Sequence, residues 1–421
     1  MNVYRNRNFL LSYAASFISL FGSKLLMMSY VAYIFEAKGS ATYASIVFAA
    51  EWVTSLVIGL FGARHIDRMN AKHLLIGLNV IAAFVTLLFV NFTSPDLYSY
   101  AIAIIIARAL LSHSINASRL KALVQFFTKE ETNTFSPIFN SSLFIATALA
   151  GAVGIYILRF ISFTTVIYID AATFLAAAGL FILVRPNKQR LEESTQASQT
   201  AATGGLIHFK NAFSVIAKNT DLASSIFYII LTVTSFQATY EILITTIPQV
   251  WFKLGKSGTA LFFMFESVFV TLGAFFYQYL NRRGHITQTN QRALNLATLA
   301  FATGTYLFIP TLKNHLYLCM FVFNVMVIAV ELLWTHHFKQ MIVHIPPAKI
   351  VAVTGLQTAL GYSLMGVFAF TFSAGIDHFG IRTAMYLNIL LLALLVGGWE
   401  SLTKSRMNRT AASMEATEAA N

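Results

Sequence analysis

The amino-acid sequence predicts an all-α integral membrane protein: twelve transmembrane helices in two pseudo-symmetric six-helix halves. Three observations predict it. Charged residues are 11% of the 421 and hydrophobic ones 57%, where a soluble domain carries roughly 25% charge. The apolar residues gather into runs of about 20, the length a helix needs to cross a bilayer. The longest polar interruption falls after the sixth run, dividing the chain into equal sets.

Taken in order, the first run follows Arg5 and Arg7 and extends about 27 residues, too long for a signal-peptide core, so it is expected to be retained. The spans are placed at approximately 9-35, 43-62, 74-92, 98-118, 137-158 and 162-184, then 222-247, 258-280, 293-312, 316-337, 350-372 and 382-402. The halves are therefore 1-184 and 222-403. The connection 185-221 opens with Arg185-Pro186-Asn187-Lys188-Gln189-Arg190 and passes through a Ser/Thr/Gln/Ala-rich piece. After Gly204-Gly205, the spacing of Leu206, Phe209, Phe213 and Ile216 predicts an amphipathic helix along the membrane interface. The tail 404-421 is polar and rich in Ala, Thr and Glu, which predicts disorder.

Charge placement orients the chain. With the N-terminus inside, 21 of the 29 Lys and Arg fall on the inner side. Lys38, Arg159, Lys253, Lys256, Lys313 and Arg382 fall outside, and Lys24 and Arg108 lie within spans. That asymmetry satisfies the positive-inside rule and puts both termini in the cytoplasm. It also accounts for the net charge of +12 without a nucleic-acid partner. The one cysteine, Cys319, excludes an intrachain disulfide.

Between the second and third spans lies Ala63-Arg64-His65-Ile66-Asp67-Arg68-Met69-Asn70-Ala71-Lys72. This loop resembles the one between helices 2 and 3 of the major facilitator superfamily, which reads Gly-x-x-x-Asp-Arg-x-Gly-x-Arg/Lys. Ala63 replaces its first Gly, and Asn70 replaces the second as the residue that best tolerates a left-handed backbone after Gly. Further stretches are similar to one branch of that superfamily, the enterobactin-type siderophore exporters and macrolide-efflux permeases. They are Ile18-Ser19-Leu20-Phe21-Gly22, Gly39-Ser40-Ala41, Ala49-Ala50-Glu51, Ala122-Leu123-Val124 with Lys129-Glu130-Glu131, Lys218-Asn219 and Pro248. Two departures stand out. Ser23-Lys24 replaces the acid that many members carry after the Gly of span 1, and Gly151-Ala152-Val153-Gly154 lacks the Pro of the antiporter signature. The resemblance implies gating by Asp67 and Arg68, and a proton-relay or substrate role for an Arg near position 108.

Ionisable residues inside spans are costly and mark cavities or partners. Lys24, Glu51 and Arg108 fall roughly mid-membrane at about 1.5 Å of rise per residue. Two arrangements suit them: a shared cavity binding an anion through Lys24 and Arg108, or an ion pair of Glu51 with either base that locks helices. In span 4, Arg108, Ser112, Asn116 and Arg119 lie within about 80° of one helix face, with His113 on another face as a packing residue. In span 5 the stripe is Asn140, Thr147, Gly151 and Gly154, whose small residues equally suit close helix approach. Span 7 presents Thr234, Gln237, Glu241 and Thr245, with Glu241 placed near the outer end as a gate or salt-bridge residue. Glu266 among Phe262, Phe263, Phe265 and Phe269 is expensive to ionise, which makes it a candidate for proton exchange. Glu331 joins it, with Asn324, Trp334 and Thr335 close by, and Glu51 stands third.

His336-His337 is not a metal site, since adjacent residues diverge by about 100° on a helix. Neither a Gly-x-x-x-x-Gly-Lys-Ser/Thr loop nor a Ser/His/Asp or His-Glu-x-x-His arrangement occurs, which removes ATP-driven transport by this chain and hydrolysis, and no cofactor is called for. The expected function is secondary transport by alternating access, most simply proton-coupled export of an amphipathic, anionic small molecule, siderophore-like or drug-like, by a monomer. An importer or facilitator is the alternative reading. A transport-inactive membrane sensor or assembly factor is the reading from another class.

Overall fold

The computed structural model describes residues 6–58, 66, 69–187, 205–285, 291–345 and 350–420. Every described element is helical. The first half comprises α1 (Arg7–Lys38), α2 (Ala41–Val57), α3 (Ala71–Leu88), α4 (Tyr98–Phe126), α5 (Lys129–Phe160) and α6 (Phe163–Leu183). The connecting helix α7 (Gly205–Lys218) forms where the amphipathic pattern places it. The second half holds α8 (Thr220–Leu231), α9 (Ala238–Thr246), α10 (Gly255–Arg282), α11 (Gln291–Phe308), α12 (Leu316–His344) and α13 (Ile350–Ala420). α8 and α9 form one span, joined by a π-helical stretch Thr232–Gln237 and followed by a second, Ile247–Trp251. Such i→i+5 turns concentrate at functional sites in helices.

Eight helical stretches among the described residues are long and apolar enough to cross a membrane, and Ala41–Val57 and Ile145–Leu158 are shorter apolar helices. The last of the eight contains both 350-372 and 382-402, because α13 continues through a bend at Gly380, where φ is 81°. Only glycine takes that backbone at little cost. Several helices outrun their expected spans: α4 reaches Phe126, α5 begins at Lys129 and α12 ends at His344. Hydropathy registers only the apolar part, whereas a helix projects past the bilayer wherever its end is capped. Thr128 and Glu131 form such a capping box at the start of α5. The tail is also helical to Ala420, against the expected disorder; its Ala, Met, Glu and Arg residues are strong helix formers.

Asn70 corrects an expectation too. It is extended, with φ −66°, and its side chain accepts a bond from the Lys72 amide at the start of α3. It therefore acts as a helix cap and does not occupy a left-handed turn. Asp67 and Arg68 lie outside the described residues. Around them, Lys121 Nζ donates to the carbonyls of Ile66 (2.9 Å) and Met69 (2.7 Å), and Lys72 Nζ to those of Ile182 and Val184. Basic residues thus satisfy carbonyls left open at helix ends.

The two faces of the bundle are distinguished by these ends. The near face carries the start of α1, where Asn6 donates to Glu131 Oε1 and Asn8 bonds Arg185. The far face carries the α1–α2 turn, tied to the start of α4 by Tyr98 Oη donating to the Tyr43 carbonyl. The closest contacts between halves are α5 on α10 and α2 on α13. At the first, a Cβ on Gly151 would lie 2.7 Å from Met264 N, so bare backbone is what permits the approach.

Candidate functional site

A cavity of ≈ 140 Å³ lies between the halves. α1 contributes Lys24, Met27 and Met28; α2 contributes Phe48, Glu51 and Trp52. From the second half come Gln237, ending the π-helical stretch, Glu241 of α9, and Phe263, Glu266 and Ser267 of α10. Leu143, Thr147 and Ala150 of α5 complete it. Four ionisable residues from four helices and both halves of the chain therefore meet at one place.

Neighbouring residues fix two of these positions. Glu266 is buried and its Oε2 accepts from Ser267 Oγ at 3.2 Å. The Glu51 carbonyl accepts from Thr54 Oγ1 and lies 2.8 Å from His113 Nε2 of α4, which fixes the middle of α2 against α4. Phe48 and Trp52 stack with ring centroids 5.5 Å apart, and Phe48 also meets Phe263. The result is an aromatic wall beside a carboxylate-rich floor, with one ammonium group.

Of the residues expected at a site, Lys24, Glu51, Gln237, Glu241 and Glu266 line this cavity. Glu241 is thus central, away from the far rim where the sequence suggests it. Arg108 is placed elsewhere. It is buried, its Nε donates to Thr86 Oγ1 (2.8 Å), and its Nη2 pairs with Asp170 of α6. Asp170 is fully buried and also accepts a 3.4 Å bond from Ser23. The expected sharing of one cavity by Lys24 and Arg108 does not occur, and the partner of Arg108 is neither Glu51 nor a ligand. Asp170 is the residue sequence reasoning missed. Its signal was available: a lone acid inside the apolar run 163–183.

Ser112 and Asn116 do not line the cavity; Asn116 accepts from Arg119 Nη1 at 2.9 Å, and Arg119 reaches back to Ser16 and Ser19 of α1. The two arginines of the α4 stripe are thus engaged within the first half, whereas Asn116 is exposed and Ser112 half-buried. Asn140 has a side chain outside the described residues. Glu331 sits beside Gly273 of α10 and accepts from Thr335 Oγ1 at 3.0 Å, outside the cavity lining. Trp334 stacks on Phe338, 4.9 Å between centroids. Among the described residues, no group of three or more metal-ligating side chains occurs.

Two helical bundles with a polar cavity at their interface are an architecture that many membrane transporters share. The family model for the Major Facilitator Superfamily matches residues 13–370, and the chain belongs to that superfamily. Solved structures agree in fold. The nucleoside transporter NupG has a TM-score of 0.70 at 12% identity, covering 94% of this chain and 99% of its own. A POT family transporter in complex with 5-aminolevulinic acid scores 0.67 at 14%, covering 92% and 94%. A bacterial homologue of the human lysosomal transporter Spinster, inward-facing and occupied, scores 0.67 at 11%, covering 96% and 98%. No curated protein matches the sequence.

Proposed function

We propose that the protein is a proton-coupled secondary transporter that exchanges an amphipathic small molecule against protons at this cavity. The observation that carries the reading is one cavity shared by Lys24 and Glu51 of the first half with Glu241 and Glu266 of the second. A carboxylate between rigid bodies that separate is reachable from each face in turn, which is the requirement for moving a proton. Glu266 and Glu241 are the coupling groups of the second half, and Glu51 that of the first. Glu331, one helix away, feeds the same region. The near face is cytoplasmic on the charge asymmetry of the loops, the membrane is the inner one, and the resemblance to siderophore and macrolide exporters supports outward transport.

The charge of the solute follows from the same residues. An anionic solute suited a cavity with two bases; with Arg108 committed to Asp170, one ammonium faces three carboxylates. A solute with a positive group beside a flat apolar portion fits better, since Phe48, Trp52 and Phe263 offer ring faces to a cation. The volume suits a portion of about one benzene-like ring, by comparison with a ~150 Å³ engineered cavity that holds benzene.

The test uses purified full-length protein in proteoliposomes with phenyltrimethylammonium and its one-ring anionic counterpart, benzenesulfonate. A pH gradient is expected to drive accumulation of the cation. Glu266→Gln and Glu241→Gln should each abolish that dependence while leaving cation-for-cation exchange measurable. Lys24→Ala removes the rival cation and should raise phenyltrimethylammonium affinity several-fold. Unchanged gradient dependence in the Gln variants at positions 51, 241 and 266 would refute the coupling assignment. Tighter binding of benzenesulfonate that is lost in Lys24→Ala would restore the anionic reading.

A further inference from the structure

α2 begins with a missing cap. Ser40 occupies the cap position yet makes no capping bond of its own, and the first turn of the helix holds no acidic residue. The open amides are satisfied from the other half of the molecule. Asp377, near the far end of the first arm of α13, accepts the Ala41 amide at 2.8 Å through Oδ1. Its Oδ2 accepts the Thr42 amide at 3.0 Å and the Ser40 hydroxyl at 2.6 Å. One carboxylate thus takes three hydrogen bonds at a helix N-terminus, where the backbone partial charge favours an anion. Its partners lie 335 to 337 positions away in sequence.

Two other polar contacts join the halves at the same rim. Lys256 Nζ pairs with Glu36 Oε2 at 3.0 Å, with both side chains partly exposed, and Gln249 Nε2 donates to the Ala32 carbonyl at 3.4 Å. An exposed Lys–Glu pair contributes little, and the Gln249 bond is long. The Asp377 cap is the contact of the three with short, charge-assisted bonds in quantity. These three contacts all lie at the face that carries the α1–α2 turn.

We propose that Asp377 is the latch that holds the far face shut: it caps α2 when the halves are together at this rim, and the cap must break each time the far face opens. This rests on alternating access at the cavity, and it adds the residue that sets the balance between the two states. A helix capped by its own Ser40 would lose nothing when the halves part. With the cap supplied across the interface, opening leaves the amides of Ala41 and Thr42 to water and Ser40, so closure is favoured and still reversible.

The experiment reads access to the cavity from each face of the full-length protein in sealed, oriented proteoliposomes. Thr147→Cys places one thiol on the cavity wall, and the native Cys319 is fully buried. A membrane-impermeant maleimide is applied at the far face or the near face. Asp377→Ala is expected to raise far-face labelling about fivefold, the scale of losing one helix cap, and to lower near-face labelling. Asp377→Asn, which keeps an acceptor and loses the charge, should fall between. In the pair Ser40→Cys with Asp377→Cys, a short bis-thiosulfonate bridge, applied before the reporter thiol is introduced by deprotection, should suppress far-face labelling until reductant is added. A folded Asp377→Ala protein labelled no faster than the parent overturns the latch. If that variant does not fold, the bridge decides, and far-face labelling persisting with the bridge formed overturns it equally. A parent protein labelled from both faces but indifferent to position 377 removes the latch alone. One never labelled from the far face removes alternating access together with it.

Discussion

Asp170→Ala is expected to destabilise the protein by about 3–5 kcal/mol, the usual cost of leaving one partner of a buried ion pair unmatched. The reason lies in what remains. Arg108 would keep its bond to Thr86 but lose the carboxylate facing Nη2, in a setting where neither side chain meets solvent to any extent. Arg108→Ala should cost a similar amount, because Asp170 would keep only the neutral hydroxyls of Ser23 and Thr86. The double change Arg108→Met with Asp170→Leu removes both charges together and should recover most of the loss, as replacing a whole buried pair by apolar residues generally does. Unfolding of the purified variants in detergent measures this directly. An Arg108→Ala protein as stable as the parent, yet impaired in binding benzenesulfonate, would mean that Arg108 serves the solute after all.

That pair also marks where sequence reading reaches its limit. The helical class and most span positions follow from apolar run length, because run length is a one-dimensional property. Lys24, Glu51, Glu241 and Glu266, which line the cavity, were legible as candidates for a related reason: each is an ionisable group where hydrocarbon makes ionisation costly. Which of them meet was not legible. The stripe Arg108, Ser112, Asn116 and Arg119 shares one helix face, but helix periodicity does not say which neighbour that face meets. It meets α1, α3 and α6. Glu241 lines the cavity and does not end its span, because that span contains two π-helical stretches and continues past 247 to Trp251. Asp377 escaped notice because it falls between two expected spans, where an acid is ordinary. Its meaning comes only from the helix start it faces.

Gly151→Ala is expected to shift the balance between the two faces more than any change in the polar latch. An added Cβ would sit 2.7 Å from Met264 N and 2.8 Å from its Cα, where ordinary contact begins at 3.4 Å. Those atoms are backbone of α10 and no rotamer change moves them, so α5 and α10 must part by several tenths of an ångström. Overpacking of this kind costs typically 1–3 kcal/mol, and here the cost is charged only to the state in which α5 and α10 are in contact. Opening the far face separates these helices and relieves the clash. Far-face labelling of Thr147→Cys should therefore rise by roughly tenfold in Gly151→Ala, with near-face labelling falling in step. Gly154 supplies the control, one turn along the same helix. A Cβ there first meets Met28 Cε, the free end of a flexible side chain, at 2.9 Å, and then Ala260 Cβ at 3.2 Å. Methionine can swing away, so Gly154→Ala should move the labelling rates far less. Equal effects at 151 and 154 would mean that α5 responds to added bulk in general, and that the backbone contact with Met264 does not set the closed state.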